Sequence, residues 1–219
     1  MSVTRGRGTG RAPKRSGPEV RTHILQTATH LFAEHGFETV TTRDICTAAN
    51  VSMSVVYRHF QDKQALYLEC VVAAYRIVCD EVFAPVTEDL EVHTLLFRVT
   101  RNLCETHAGD ADVPKLVLRQ ILERDYDLFR RLASEVTLGY SHALAARAGE
   151  LDLAGRSPES IIHSLYAMTF GFAHMASQVT FFEWEKELPH HQQYDGMTVH
   201  ILSLVLPGFD WTVFVAGRT

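Results

Sequence analysis

The 219-residue sequence predicts an all-α chain, with a small three-helix unit near the amino end and a larger helical body behind it. Three observations carry that expectation. Helix-start signatures recur at Ser16 with Glu19, at Thr41 with Asp44, and at Asp62. Apolar residues return at intervals of three and four over most of the chain, the spacing of one helix face. No stretch alternates apolar with polar residues as a half-buried strand does, and no hairpin turn signal of consequence appears. Hydrophobic residues make up 46% of the chain, enough to bury a sizeable core and too many for a disordered chain.

The elements follow in order. Ser16 and Glu19 form a capping box around Pro18, and Ile24, Ala28, Leu31 and Phe32 lie on one face until Gly36 ends the first helix. The box of Thr41 and Asp44 opens a second helix over 42–49, which stops at Asn50, a residue that tolerates a left-handed backbone. Ser52 is a suitable N-cap for a third helix, 53 to about 60, and Asp62 for a fourth that begins at Lys63. Ile45, Val51, Val56 and Phe60 should meet the stripe of the first helix, joined by Phe37 and Val40 from the loop. From Lys63 the pattern Leu66, Leu68, Val71, Val72, Tyr75, Val78, Val82 runs to Pro85. Such a helix is a rod of about 30 Å linking the first unit to the rest. Further helices are expected at 88–107, 112–123, 126–149, 157–186 and 195–206. Gly109, Gly149, Gly155, Pro158, Pro189 and Gly196 mark the breaks, with Pro207 and Gly208 at the end.

Charge is divided along the chain. Residues 1–63 hold nine basic and five acidic side chains, a net +4, which leaves −9 for the remainder of a chain whose total is −5. Within that part, residues 1–18 carry Arg5, Arg7, Arg11, Lys14 and Arg15, no acid and almost no apolar residue, so they read as a flexible basic arm. The arm can follow a phosphate backbone or enter a minor groove, and it can equally be a solubilising tail. No apolar segment follows its arginines, so a secretory signal is not expected. Cys46, Cys70, Cys79 and Cys104 show neither C-x-x-C nor zinc-ligand spacing and read as reduced, buried side chains of a cytoplasmic protein. The stretch 160–182 lacks Asp, Glu, Lys and Arg, but its serines and histidines point to a buried helix rather than a membrane span.

Two short helices joined by a tight turn, as in 42–60, are the helix-turn-helix arrangement, whose second helix enters the DNA major groove. Lys63 stands in the first turn of its helix, where a cation is disfavoured by roughly 0.3 to 1 kcal/mol, and a DNA phosphate is the expected compensation.

The runs Thr41-Thr42-Arg43-Asp44-Ile45, Ala49-Asn50-Val51-Ser52, Val56-Tyr57-Arg58-His59-Phe60 and Lys63-Gln64-Ala65-Leu66 resemble the DNA-binding domain of TetR-type transcriptional regulators over about residues 19–67. That resemblance implies an all-α homodimer with an N-terminal three-helix DNA-binding domain and a C-terminal ligand-binding and dimerisation domain. The expected division is 1–18 arm, 19–66 helix-turn-helix domain and 67–219 C-terminal domain. It further implies that Thr42, Tyr57, His59 and Lys63 touch the DNA backbone and that Arg43, Ser54, Val55 and Arg58 lie near base edges, with Ser52 and Met53 completing the surface. Two departures stand out. Asn50 replaces the usual glycine and can make the same turn, whereas Met53 stands where lysine is frequent, so one electrostatic contact is absent and base preference is open to change.

In the C-terminal part, the helix at 157–186 is apolar nearly all round. His163, Tyr166, Phe170, His174 and Ser177 fall on one side, and Ile161, Leu165, Met168, Phe172, Met175 and Val179 on another. One side is expected to line an internal pocket. The other should meet a second subunit together with Val199, Ile201, Leu202, Leu204, Val205 and Leu206, unless all of them simply form the core of a monomer. Phe97, Arg101, Cys104, Leu118, Ile121, Leu122, Tyr126, Tyr166, Phe170 and His174 are the candidate effector contacts, apolar walls with a few polar anchors. An inward Arg101 would call for an anionic group on the ligand. His163 and His174, about 16 Å apart on a helix, cannot share a metal, and His190 with His191 fall in an expected loop.

The function expected is a ligand-responsive repressor that binds a palindromic operator as a homodimer through its last two helices and is released by a small-molecule effector. No catalytic residue, metal, cofactor or membrane partner is assigned. A rival, an enzyme with an incidental helix-turn-helix, finds no G-x-S-x-G, P-loop, H-E-x-x-H or dinucleotide glycine pattern in the chain. A ligand-independent architectural DNA-binding protein is a third reading. Changing Tyr57 or Lys63 to alanine is expected to weaken operator binding with little loss of folding.

Overall fold

The computed structural model describes residues 16–108, 111–123, 125–178 and 190–216, and among these there is helix and no strand. The basic arm, apart from its last few residues, lies outside them. Helix α1 spans Gly17–His35, α2 Thr42–Ala49, α3 Met53–His59 and α4 Lys63–Phe83. The local signals explain each start. The Glu19 carboxylate accepts from the Ser16 backbone N–H at 2.7 Å, and Asp44 accepts from the Thr41 N–H at 2.9 Å while the Thr41 hydroxyl accepts from the Asp44 N–H at 3.2 Å. Asp62 accepts from the Ala65 N–H at 2.7 Å. Ser52 differs. It holds the N-cap position of α3, but its hydroxyl makes no cap bond and lies 2.9 Å from the Ser54 hydroxyl instead.

A single small core fixes these four helices together. Ile24, Ala28 and Phe32 of α1 are buried with Val40, Ile45, Val56 and Phe60, as the periodicity predicts. Phe37 and Tyr67 extend it, with Tyr67 edge-on to Phe32 at 5.0 Å and tilted against Phe37 at 4.9 Å. Emptying the middle of this cluster by Phe32→Ala would cost about 3 to 5 kcal/mol.

Behind it, α5 (Val92–Ala108) is the central helix, packed by α9 (Pro158–Gln178), α10 (His190–Val205) and α4. Helix α6 (Asp112–Glu123) lies across α1 and α4, so it joins the amino-terminal unit to the larger body. Helices α7 (Tyr126–Leu132) and α8 (Leu138–Ala148) run on through a π-helical turn, Ala133–Thr137. A short 3-10 turn, Trp211–Phe214, closes onto α5, where Phe214 stacks on Phe97 at 4.8 Å. No helix among the described residues is long and apolar enough to cross a membrane.

Several boundaries depart from the sequence expectation. Helix α5 begins at Val92 rather than 88, because Glu91 caps it by accepting from the His93 N–H at 2.9 Å. Helix α10 begins at His190 rather than 195, so His190 and His191 open a helix instead of lying in a loop, and Gly196 sits inside it. Packing on α5 and α9 outweighs the propensity cost of one glycine, about 1 kcal/mol. Residues 179–186, expected to be helical, lie outside the described residues.

Candidate nucleic-acid interface

The turn between α2 and α3 rests on one residue. Asn50 has φ 54° and ψ 49°, the left-handed conformation, and the Val51 N–H returns to the Cys46 carbonyl at 3.0 Å. That reversal sets α3 against α2 with Val56 facing the core. The opposite face of α3 carries Ser54 and Arg58, both exposed. On one flank Met53 is 40% and Tyr57 49% exposed, and on the other Val55 and His59 are half-buried. From α2, Arg43 is exposed and Thr42 half-buried. Met53 is held by a contact of 3.3 Å between its sulfur and the Cys46 thiol.

Arg21 pairs with Glu69, Arg101 with Asp195 and Glu105, Arg131 with Glu135 and Arg147 with Glu150. Among the described residues no ion pair engages Arg43 or Arg58, so both guanidinium groups keep their donors for a partner.

Lys63 has partners within the chain that the sequence did not signal. Its ammonium donates to the Phe37 carbonyl at 2.8 Å and the Val40 carbonyl at 3.0 Å and lies 4.1 Å from the centre of the Phe37 ring. The loop between α1 and α2 therefore supplies compensation for a cation at this helix start, and these two bonds leave the third ammonium N–H unused.

A set of contacts that the sequence did not signal ties this unit to α6. The His30 ring lies 3.0 Å from both Asp112 carboxylate oxygens, Lys115 pairs with Glu34 at 2.6 Å, and Arg119 donates to the carbonyls of Ala33 and Glu34 at 3.3 Å each. Gly36 has φ 78°, a conformation that favours glycine, and a Cβ there would come within 2.8 Å of the Arg119 guanidinium, the movable end of a long side chain. Each pair spans more than 80 positions in sequence, and no periodicity could have announced it.

Residues 24–70 match the family described as "Bacterial regulatory proteins, tetR family". Over that segment the chain is similar to the DNA-binding part of TetR-family regulators. Over 59 residues it is 37% identical to the HTH-type transcriptional regulator AcrR of Shigella flexneri, a stretch that covers 27% of each protein. The chain therefore matches only about a quarter of that relative's length. Two solved structures share the fold. A putative TetR-family regulator from Mesorhizobium loti has TM-score 0.63 and 20% identity, covering 87% of this chain and 98% of its own. AibR, solved with isovaleryl coenzyme A and operator DNA, has TM-score 0.67 and 18% identity, covering 87% of this chain and 100% of its own. At such identities the likeness fixes the fold.

The candidate effector contacts whose side chains are described have differing surroundings. Phe97 and Cys104 are buried, Phe97 on Phe214 and Cys104 beside Thr198, whose hydroxyl is 3.8 Å from the thiol. Burial pushes the Cys104 thiol up to about 12, and all four cysteines are buried and free. Leu118 and Ile121 are half-buried, while Leu122 is 53% exposed. Arg101 faces inward, but its anion is the protein's own: Asp195 accepts from it at 2.6 Å, so it gives no hint of an acidic ligand. Tyr166 shares a hydrogen bond of 3.2 Å with Ser141, and Phe170 meets the His107 ring edge-on at 5.7 Å. The side chains of Tyr126 and His174 lie outside the described residues. Two open hollows, of about 360 Å³ beside His142 and Glu159 and about 340 Å³ beside Asn102 and Thr106, include none of the ten.

The expected subunit surface also needs correction. Ile201, Leu202, Val205 and Leu206 are buried in the subunit's own core, and only Leu204, 57% exposed, and half-buried Val199 remain outward. The outer face of α9 shows Ser160, His163, Ser164 and Ala167, and that of α10 shows Gly196, His200, Ser203 and Leu204. His163 is thus outward while Tyr166 and Phe170 are half-buried, so they do not form one pocket wall.

Proposed function

We propose that the chain is a transcriptional repressor, and not an enzyme, that binds a palindromic operator as a homodimer and is released when a small molecule occupies the C-terminal domain. The observation that carries the reading is the surface of α2 and α3, where Arg43, Ser54 and Arg58 point outward free of ion pairs on a turn held by Asn50. Phosphate contacts position such a helix and base-edge contacts give it sequence preference. Thr42, Tyr57 and His59 flank it as backbone contacts, Ser52, Met53 and Val55 complete it, and Lys63 braces it from behind.

A symmetric operator needs two such helices, and the outer faces of α9 and α10, where Ser160, Ser164, Ala167, Gly196 and Ser203 alternate with His163, His200 and Leu204, are the surface offered to a second copy. Support for an effector inside the domain comes from Tyr75 on α4 and Thr100 on α5, whose hydroxyls are buried without a hydrogen-bond partner. A buried polar group left so costs about 1 to 3 kcal/mol, which a polar group on a bound molecule would offset. The ligand need only favour a dimer in which the α3 helices no longer match half-sites about one DNA turn apart. Helix α4 links the two parts and α6 clamps them, so either can carry the change.

Selection of bound sequences from random duplex DNA, repeated with candidate metabolites present, tests this. An enriched inverted repeat that disappears with one metabolite supports the reading. Failure to enrich any duplex in dilute buffer refutes it.

A further inference from the structure

Resting on the reading of α3 as the DNA-reading helix, we propose that Met53 selects a thymine in each operator half-site by packing against its C5-methyl group. Met53 is the first residue of α3 and is 40% exposed, a large apolar side chain placed on a helix of only seven residues. It is seated rather than loose, since its sulfur lies 3.3 Å from the thiol of buried Cys46 on α2. Tyr57, four positions on and 49% exposed, continues the same flank beside the polar ridge of Ser54 and Arg58. Residues at the start of a recognition helix are those that reach base edges.

The chemistry of the side chain then chooses the base. The major groove shows donors and acceptors at every pair, and its one apolar group is the thymine methyl. A thioether carries no charge and donates no hydrogen bond, so it gives nothing to guanine O6 or N7, where a lysine or arginine would be rewarded. Against a methyl group it buries apolar surface on both sides without leaving a polar atom unpartnered. Burial of one methyl corresponds to about fourfold in affinity per half-site, and about fifteenfold when both half-sites are changed.

The experiment uses the full chain and the duplex it selects. Each thymine is replaced, symmetrically in both half-sites, by deoxyuridine, which lacks only the methyl, and affinities are read by fluorescence anisotropy. One symmetric replacement should weaken the parent about fifteenfold, and that loss should fall below threefold in Met53→Ala and persist in Met53→Leu. Far-ultraviolet circular dichroism and the urea midpoint establish that both variants fold. Equal methyl dependence of parent and Met53→Ala at every thymine, or a parent indifferent to every methyl, overturns the assignment while leaving the regulator reading intact. A chain that selects no duplex loses both.

Discussion

Replacing Lys63 with methionine keeps the aliphatic stem and removes only the charge, which makes it a clean probe of the tie between α4 and the loop after α1. Two charge-assisted hydrogen bonds disappear, at 2.8 and 3.0 Å, together with a cation held 4.1 Å from the Phe37 ring centre. Bonds of this kind contribute about 1.5 to 3 kcal/mol when dry. Lys63 is half-buried, and water can reach the freed carbonyls, so about 1 kcal/mol each is the appropriate figure. The ring contact adds about 0.5 kcal/mol, and removing a cation from a helix start returns a similar amount. The net loss is about 2 kcal/mol, which lowers a urea midpoint by roughly 0.8 M at a slope of about 2.5 kcal/mol/M. Operator affinity, measured where both proteins are folded, should change by less than about threefold. An unchanged midpoint together with a tenfold loss of DNA binding would refute the argument and return Lys63 to the phosphate contact that the sequence suggested.

Other outcomes follow from the same geometry. Asn50→Gly should leave stability within about 0.5 kcal/mol, whereas Asn50→Val should cost about 1 to 2 kcal/mol, because a β-branched residue resists φ 54°; urea titration separates them. Arg101→Met removes the cation facing the nearly buried Asp195 carboxylate, so a loss of about 2 to 3 kcal/mol that 0.5 M salt barely alters is expected in thermal unfolding, partly recovered by adding Asp195→Asn. Burial lowers the His107 pKa to about 4, so the folded state stays neutral where the unfolded chain takes up a proton near pH 6.5. Its stabilising contribution is full above pH 6.5 and is lost toward pH 4, by at most about 1.4 kcal/mol per pH unit, and His107→Leu should flatten that slope in urea midpoints measured across the range.

The parts of this molecule legible in the sequence are those written in neighbouring residues. The box of Thr41 and Asp44, the left-handed Asn50 and the Asp62 cap act within four positions, and they place α2, α3 and the start of α4. Helix α6, Asp112–Glu123, has the span that the sequence leads one to expect. What escaped reading depends on partners far along the chain. Arg101 looked like a ligand anchor because Asp195 is 94 positions away, and Lys63 looked uncompensated because Phe37 and Val40 supply carbonyls rather than side-chain charge. The clamp of α6 on α1 uses ordinary surface residues, His30, Glu34, Asp112, Lys115 and Arg119, whose meaning comes only from the packing of the two helices. Periodicity named the apolar positions of α10 but could not say which side faces its own subunit, so Ile201 and Leu202 were expected outward and are inside.

The most direct test of the central claim, that paired α3 helices read one duplex, is sedimentation of the chain with its selected DNA at low salt, set beside Arg58→Ala. Two chains per duplex, with affinity falling steeply as salt rises and less steeply in the variant, is the result expected. One chain per duplex, or a salt dependence that the loss of Arg58 leaves untouched, would contradict it.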